Sequence, residues 1–227
     1  MTRKQIINIL MAAAFCCAPI YASPEPKTVV TGDKMQIIKD GEQVVFSGNA
    51  LVKRGRDVLA ADKLIENKKD KIIDAYGNVD FNSVTADSEP IRCLAGRGHY
   101  AMNLGVGRLW ENRPMAIWQA LTSTSPVTMQ ADVIDYDQKK GELDGEGAVN
   151  IVSSSGTISS PVVHFFQHEK KLVLVNGAFQ PEVTYIQPDS TGRYRADSIV
   201  MWINDKKAVF TGNVWGRVLF KEQQQTK

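Results

Sequence analysis

An aspartate and a glycine recur fifteen residues apart in four places, and no other feature constrains the fold of this chain as tightly. Asp33 to Gly48 reads DKMQIIKDGEQVVFSG, and Asp62 to Gly77 reads DKLIENKKDKIIDAYG. Asp132 to Gly147 reads DVIDYDQKKGELDGEG, and Asp197 to Gly212 reads DSIVMWINDKKAVFTG. In three copies an alanine precedes the aspartate: Ala61, Ala131 and Ala196. Two weaker copies, Arg97 to Asn112 and Val162 to Gly177, keep the spacing. The units therefore begin at 33, 62, 97, 132, 162 and 197, with steps of 29 to 35 residues. A step of that size is the signature of stacked repeats, each burying its apolar face against its neighbours.

Each unit has the grammar of a hairpin. Two residues after the aspartate stands Met35, Leu64, Ile134 or Ile199. A polar turn follows, such as Lys39-Asp40-Gly41 or Gln138-Lys139-Lys140-Gly141, with Gly, Asn and Asp supplying the backbone freedom a turn needs. A second strand runs to the glycine, and a third continues beyond it with alternating apolar residues. Period-two alternation predicts half-buried strands, and no segment beyond the N-terminus reads as a helix. The expected fold is all-β, built from stacked antiparallel repeat units.

The apolar face follows from counting two and four residues either side of each unit's end. In the first unit the positions are Val44, Phe46, Ala50 and Val52. In the second they are Ile73, Ala75, Val79 and Phe81. The fourth has Leu143, Val149 and Ile151, and the fifth has Val173, Val175 and Phe179. Units three and six are less regular. Stacking aligns these residues into one apolar stripe. The stripe is either a closed core or the lining of a slot that accepts acyl chains, which are made of the same CH₂ groups. Trp110, Trp118, Trp202 and Trp215 are bulky for such a slot.

The N-terminus reads as an address. Arg3 and Lys4 precede an apolar run from Ile6 to Ala18, and Pro19 and Ala22 lead to Ser23. The expectation is a signal peptide over 1–22, cleaved after Ala22, since the run is short of the roughly 20 residues a membrane span needs. The domain then covers 23–220, and 221–227 is a polar tail. Cleavage removes Cys16 and Cys17, leaving Cys93 alone, so no internal disulfide is expected. Outside the leader, basic and acidic residues balance at 25 each, which argues against a nucleic-acid binder.

Catalytic constellations are not evident. His164 and His168 stand four apart, but on a strand that is roughly 13 Å, too far to share a metal. Asp135 and Asp137 lie two apart, on one strand face just before a turn, and read as solvated charges. There is no G-x-S-x-G elbow and no P-loop. A residue needed once for chemistry would not recur in four stacked copies, so the repeated aspartates read as strand-end hydrogen-bond partners. No enzyme activity, metal or cofactor is expected.

The repeats resemble the OstA-like (LptA) family of lipopolysaccharide transport proteins. The resemblance rests on Ala61-Asp62-Lys63-Leu64 with Gly77-Asn78-Val79, and on Ala196-Asp197-Ser198-Ile199 with Gly212-Asn213-Val214. It spans about residues 28 to 220 and implies a twisted β-jellyroll, V-shaped in section, with an apolar groove. It implies a non-enzymatic periplasmic bridge carrying lipopolysaccharide from the inner to the outer membrane. The implied partners are lipopolysaccharide, an inner-membrane adaptor, an outer-membrane translocon and further copies stacked head to tail. The strands near Thr28–Thr31 and Val209–Phe220 are the candidate edges for that stacking. Two other roles remain open: an adaptor that retains residues 6–22 as an anchor, and a β-solenoid enzyme acting on envelope polysaccharide.

Overall fold

The computed structural model describes residues 27–84, 89–118 and 125–220. The expected signal peptide over 1–22 and the tail over 221–227 lie outside the described residues. In chain order the strands are β1 (Thr28–Thr31), β2 (Lys34–Ile38), β3 (Gln43–Arg54), β4 (Asp57–Asn67), β5 (Ile72–Val84) and β6 (Pro90–Ala101). They continue with β7 (Val106–Trp110), β8 (Met115–Trp118), β9 (Val127–Gln130), β10 (Val133–Asp137), β11 (Glu142–Ser153) and β12 (Gly156–Phe166). The last six are β13 (Lys171–Val175), β14 (Glu182–Ile186), β15 (Ser190–Arg195), β16 (Ser198–Trp202), β17 (Lys207–Thr211) and β18 (Trp215–Phe220). Among the described residues the only helical piece is a single 3₁₀ turn at Lys39–Gly41. The fold is all-β, as the alternation predicts.

The six units are six hairpins: β2–β3, β4–β5, β6–β7, β10–β11, β12–β13 and β16–β17. Stacked by hydrogen bonds in that order, their twelve arms form one layer. The remaining strands and strand halves form a second layer, from β1 through the far halves of β3 to β6, then β8, β9, β11, β12, β14, β15 and β18. The long strands belong to both layers. Each bends where the register slips: Ser47/Ala50 in β3, Tyr76/Val79 in β5 and Glu146/Val149 in β11. An extra residue at a bulge turns the strand, and here the repeated bulges make a crease along one side of the stack.

The crease explains the Asp–Gly spacing. Gly48 and Asn49, Gly77 and Asn78, and Gly212 and Asn213 all have positive φ. The aspartate fifteen residues upstream sits against that bulge. Asp33 accepts from the Asn49 amide at 3.0 Å, Asp62 from Asn78 at 3.0 Å, and Asp197 from Asn213 at 2.8 Å. The fourth copy has Ala148 in place of asparagine, and Asp132 accepts from its backbone N–H at 3.4 Å. A Cβ on Gly77 would collide with the Asp62 carboxylate, so the glycine is fixed by both conformation and contact. Buried Pro114 and Pro181 also stand on the crease side, at the starts of β8 and β14. Such interruptions in ladder pairing are where proline is tolerated.

Candidate functional site

The interior between the layers is one apolar cluster from end to end. It draws Leu64, Ile73, Ile134, Leu143 and Ile199 from the first layer, and Ala50, Val79, Ala116, Met129 and Val149 from the second. Val44, Phe46, Val52, Ala75, Phe81 and Ile151 are also buried in it. Eleven of the fourteen sequence-predicted stripe residues are therefore brought together.

Val173, Val175 and Phe179 are not brought in with them. In β13 it is Leu172 and Leu174 that are buried, so Val173 and Val175 face outward, and Phe179 stands exposed between β13 and β14. The reason is a frame offset at the crease. Asn176, one residue before Gly177, bonds Asp197 through its backbone N–H at 2.9 Å and its side chain at 3.4 Å. Counting from the glycine thus lands on the outer face. Unit three is offset likewise, with Leu109 buried where the count gives Arg108 and Trp110.

Opposite the crease, the hairpin turns of the two layers meet along a mouth. Arg54 donates to the Met102 carbonyl across it. Asp57 accepts from Ser83 at 2.5 Å, from Tyr100 at 3.5 Å and from Gln138 at 3.4 Å. Farther along, Lys170 and Glu89 form an ion pair at 3.0 Å. Trp118 of the second layer stacks on Phe165 of the first, with ring centroids 5.5 Å apart. The interior is thus closed in the middle by a row of cross-mouth contacts. Burial, seconded by the charge of Asp57, pushes the Tyr100 phenol up to about 12.

The two ends are different. Met35 and Ile37 lie on the inward row of β2 but are each 59% exposed, because no further strand among the described residues covers them. Val218 and Phe220 hold the same place in β18 and are 43% and 78% exposed. Each end also presents strands that pair on one side only: β1 and β2, and β17 and β18. Among the described residues the apolar interior therefore opens at both ends, next to backbone edges that pair on one side.

The remaining sequence candidates take structural places. His164 contacts Asp144 at 2.9 Å, and His99 contacts Asp74 at 2.8 Å, each as a direct cross-strand pair on the outer face. Asp135 lies in the same outer row, 3.6 Å from Arg108. The segment Asn82–Leu94, which departs from the repeat, is mostly strand: the end of β5 paired with the start of β6. Cys93 is buried there, and burial together with the charge of Asp80 pushes its thiol up to about 12. Trp118 alone among the four tryptophans packs against the buried cluster; Trp202 lies under Lys207 and Trp215 under Arg195.

Sequence reasoning missed the residues that stand beside the stripe on the inward rows of the same two layers. Leu64, Ile134 and Ile199 carried a signal, since each stands two residues after the repeated aspartate. Tyr136, two residues further on in β10, is buried with its hydroxyl unpartnered.

Residues 29–141 match the family model described as LptA/(LptD N-terminal domain) LPS transport protein. No curated protein matches the chain. Among solved structures, one that matches is LptH from Pseudomonas aeruginosa, the LptA homologous periplasmic component of a conserved lipopolysaccharide transport device. The two share 9% identity at a TM-score of 0.38, over 72% of this chain and 96% of that one.

Proposed function

Residues 29–141 belong to the LptA/LptD N-terminal family of lipopolysaccharide transport proteins, and from that premise we propose that the whole stack is a periplasmic carrier of lipopolysaccharide. The acyl chains occupy the interior between the two layers, and the sugars and phosphates stay outside the mouth. The observation that carries this reading is the apolar interior, continuous through all six units and, among the described residues, uncapped at both ends. A self-sufficient β-protein buries its terminal rungs or blunts them with charge. This chain instead leaves Met35, Ile37, Val218 and Phe220 in the open.

The mechanism is partition without chemistry. Burial favours each acyl CH₂ by about 0.8 kcal/mol over water, whichever rung it lies against. Loading parts the layers at the mouth. There the closure depends on side-chain contacts such as Arg54 to Met102, whereas the crease is continuous backbone. The exposed edges at β2 and β18 add strands to neighbouring molecules, so that one interior continues into the next. An inner-membrane adaptor and an outer-membrane translocon are the partners at the two ends.

Photo-crosslinking to purified lipopolysaccharide tests this reading. Probes replace Ile73, Val79 or Val149 inside, with Val175 as an apolar control on the outer face. Adducts from the inner positions and none from Val175 support the carrier. A folded protein that gives no inner adduct has a closed core, and the carrier reading fails.

A further inference from the structure

Tyr136 is the one described residue whose buried side-chain polar atom lacks a hydrogen-bond partner. Its side chain enters the interior from β10, on the inward row, within reach of the charge of Asp57 at the mouth. It lines a cavity of about 30 Å³ together with Leu59, Phe81, Cys93 and Leu109. The walls are almost wholly apolar, and Phe81 sits with its ring centroid 6.3 Å from that of Tyr136. Leaving a buried hydroxyl unpaired costs more than leaving it out, so a phenol here works against stability unless something bonds it. Phenylalanine would fill the same space without that cost.

We infer that the Tyr136 hydroxyl is a polar anchor within the slot, donating to an oxygen of the bound lipid's acyl region. The inference rests on the carrier reading above. The acceptor chemistry is an ester or amide carbonyl or a chain hydroxyl, the oxygens that an acyl chain of a glycolipid can bring below the mouth. A bare hydrocarbon chain leaves the phenol unpaired, so the slot discriminates in favour of oxygen-bearing chains. Burial, helped by the nearby charge of Asp57, pushes the phenol's pKa upward, so it remains a donor throughout the physiological range.

The test is dye displacement from the purified protein by hexadecanoic acid and by a hexadecanoic acid hydroxylated near its head. The wild type should bind the hydroxylated acid more tightly by roughly 3- to 10-fold, the worth of one net hydrogen bond. Tyr136→Phe should bind both acids equally. Its thermal midpoint without ligand should be unchanged or raised. A mutant that keeps the preference overturns the anchor and leaves the carrier reading standing. So does a midpoint that falls clearly, because the hydroxyl then supports the fold through a bound water. A wild type that binds neither acid overturns the carrier reading and the anchor with it.

Discussion

The Asn78 side chain donates to the Asp62 carboxylate at 3.0 Å, sixteen residues back along the chain, and so fastens the strand at the point where it passes between layers. The contact is exposed, which limits its worth. Asp62→Ala should cost about 1 kcal/mol in chemical denaturation. Gly77→Ala should cost more, because it adds a clash with Asp62 to an unfavourable positive φ. Equal costs for the two would mean that the crease tolerates a side chain.

Cys93 reports on closure of the interior. Its thiol is buried and its pKa is pushed up to about 12 by burial and Asp80, so little thiolate exists at pH 8. The native protein should resist alkylation at that pH, and denaturant should release the reaction. Lipopolysaccharide that parts the layers should change the native rate. Rapid alkylation of the folded, ligand-free protein would contradict a closed middle.

Glu182 ties stability to pH. Burial raises its pKa, but hydrogen bonds from Arg193, at 2.6 Å, and from Arg195 outweigh that and hold it below the ordinary 4.5. A depressed folded-state value stabilises above the unfolded value and is lost as pH falls through the folded one. The thermal midpoint should therefore drop below about pH 4.5 through this group. In Glu182→Gln that part of the acid dependence should disappear, with a lower midpoint at neutral pH. An unchanged acid limb in the variant would remove Glu182 from the account.

Asp57 holds the mouth through Ser83, Tyr100 and Gln138. Asp57→Ala should speed uptake of an apolar dye several-fold while leaving the β-sheet circular dichroism unchanged. Uptake that stays at the wild-type rate would place entry at the open ends.

Those ends carry the last prediction. Sedimentation should show association that rises with concentration, and Met35→Lys or Val218→Lys should abolish it without unfolding. Charge on a terminal rung opposes the continuation of an apolar interior. A wild type that stays monomeric at all concentrations would sink head-to-tail assembly.

The hairpin grammar was legible because both its signals are local: period-two alternation and the Asp–Gly spacing. Phe46 and Ala50, or Ala75 and Val79, could be placed because a two-residue bulge keeps the count constant. It failed at Val173 and Val175, where Asn176 takes the crossing position one residue early. The partners of the stripe were harder to see. Met129 and Ala116 come from β9 and β8, whose pairing depends on the register of the stack and not on either segment alone. The orphan hydroxyl of Tyr136 was invisible for the same reason, since tyrosine on an inward row looks like ordinary core. The cross-mouth contacts of Arg54 and Asp57 bring together turns nearly fifty and more than eighty residues apart. No spacing in the sequence announces such a meeting.

Twelve stacked arms at about 4.8 Å each make an interior roughly 53 Å deep, longer than the hydrocarbon core of a bilayer, about 30 Å. No single set of acyl chains spans it. On the carrier reading, a lipid displaced by one rung exchanges apolar neighbours for similar ones, so its energy profile along the axis is nearly level, with a ripple at each repeat. Such a profile has no deep sink in which cargo would stall, since one hydrogen bond at Tyr136 is a shallow one, and no slope to give it a heading. On that reading the repeat makes a track, and the direction of travel would come from whatever pushes at one end and withdraws at the other.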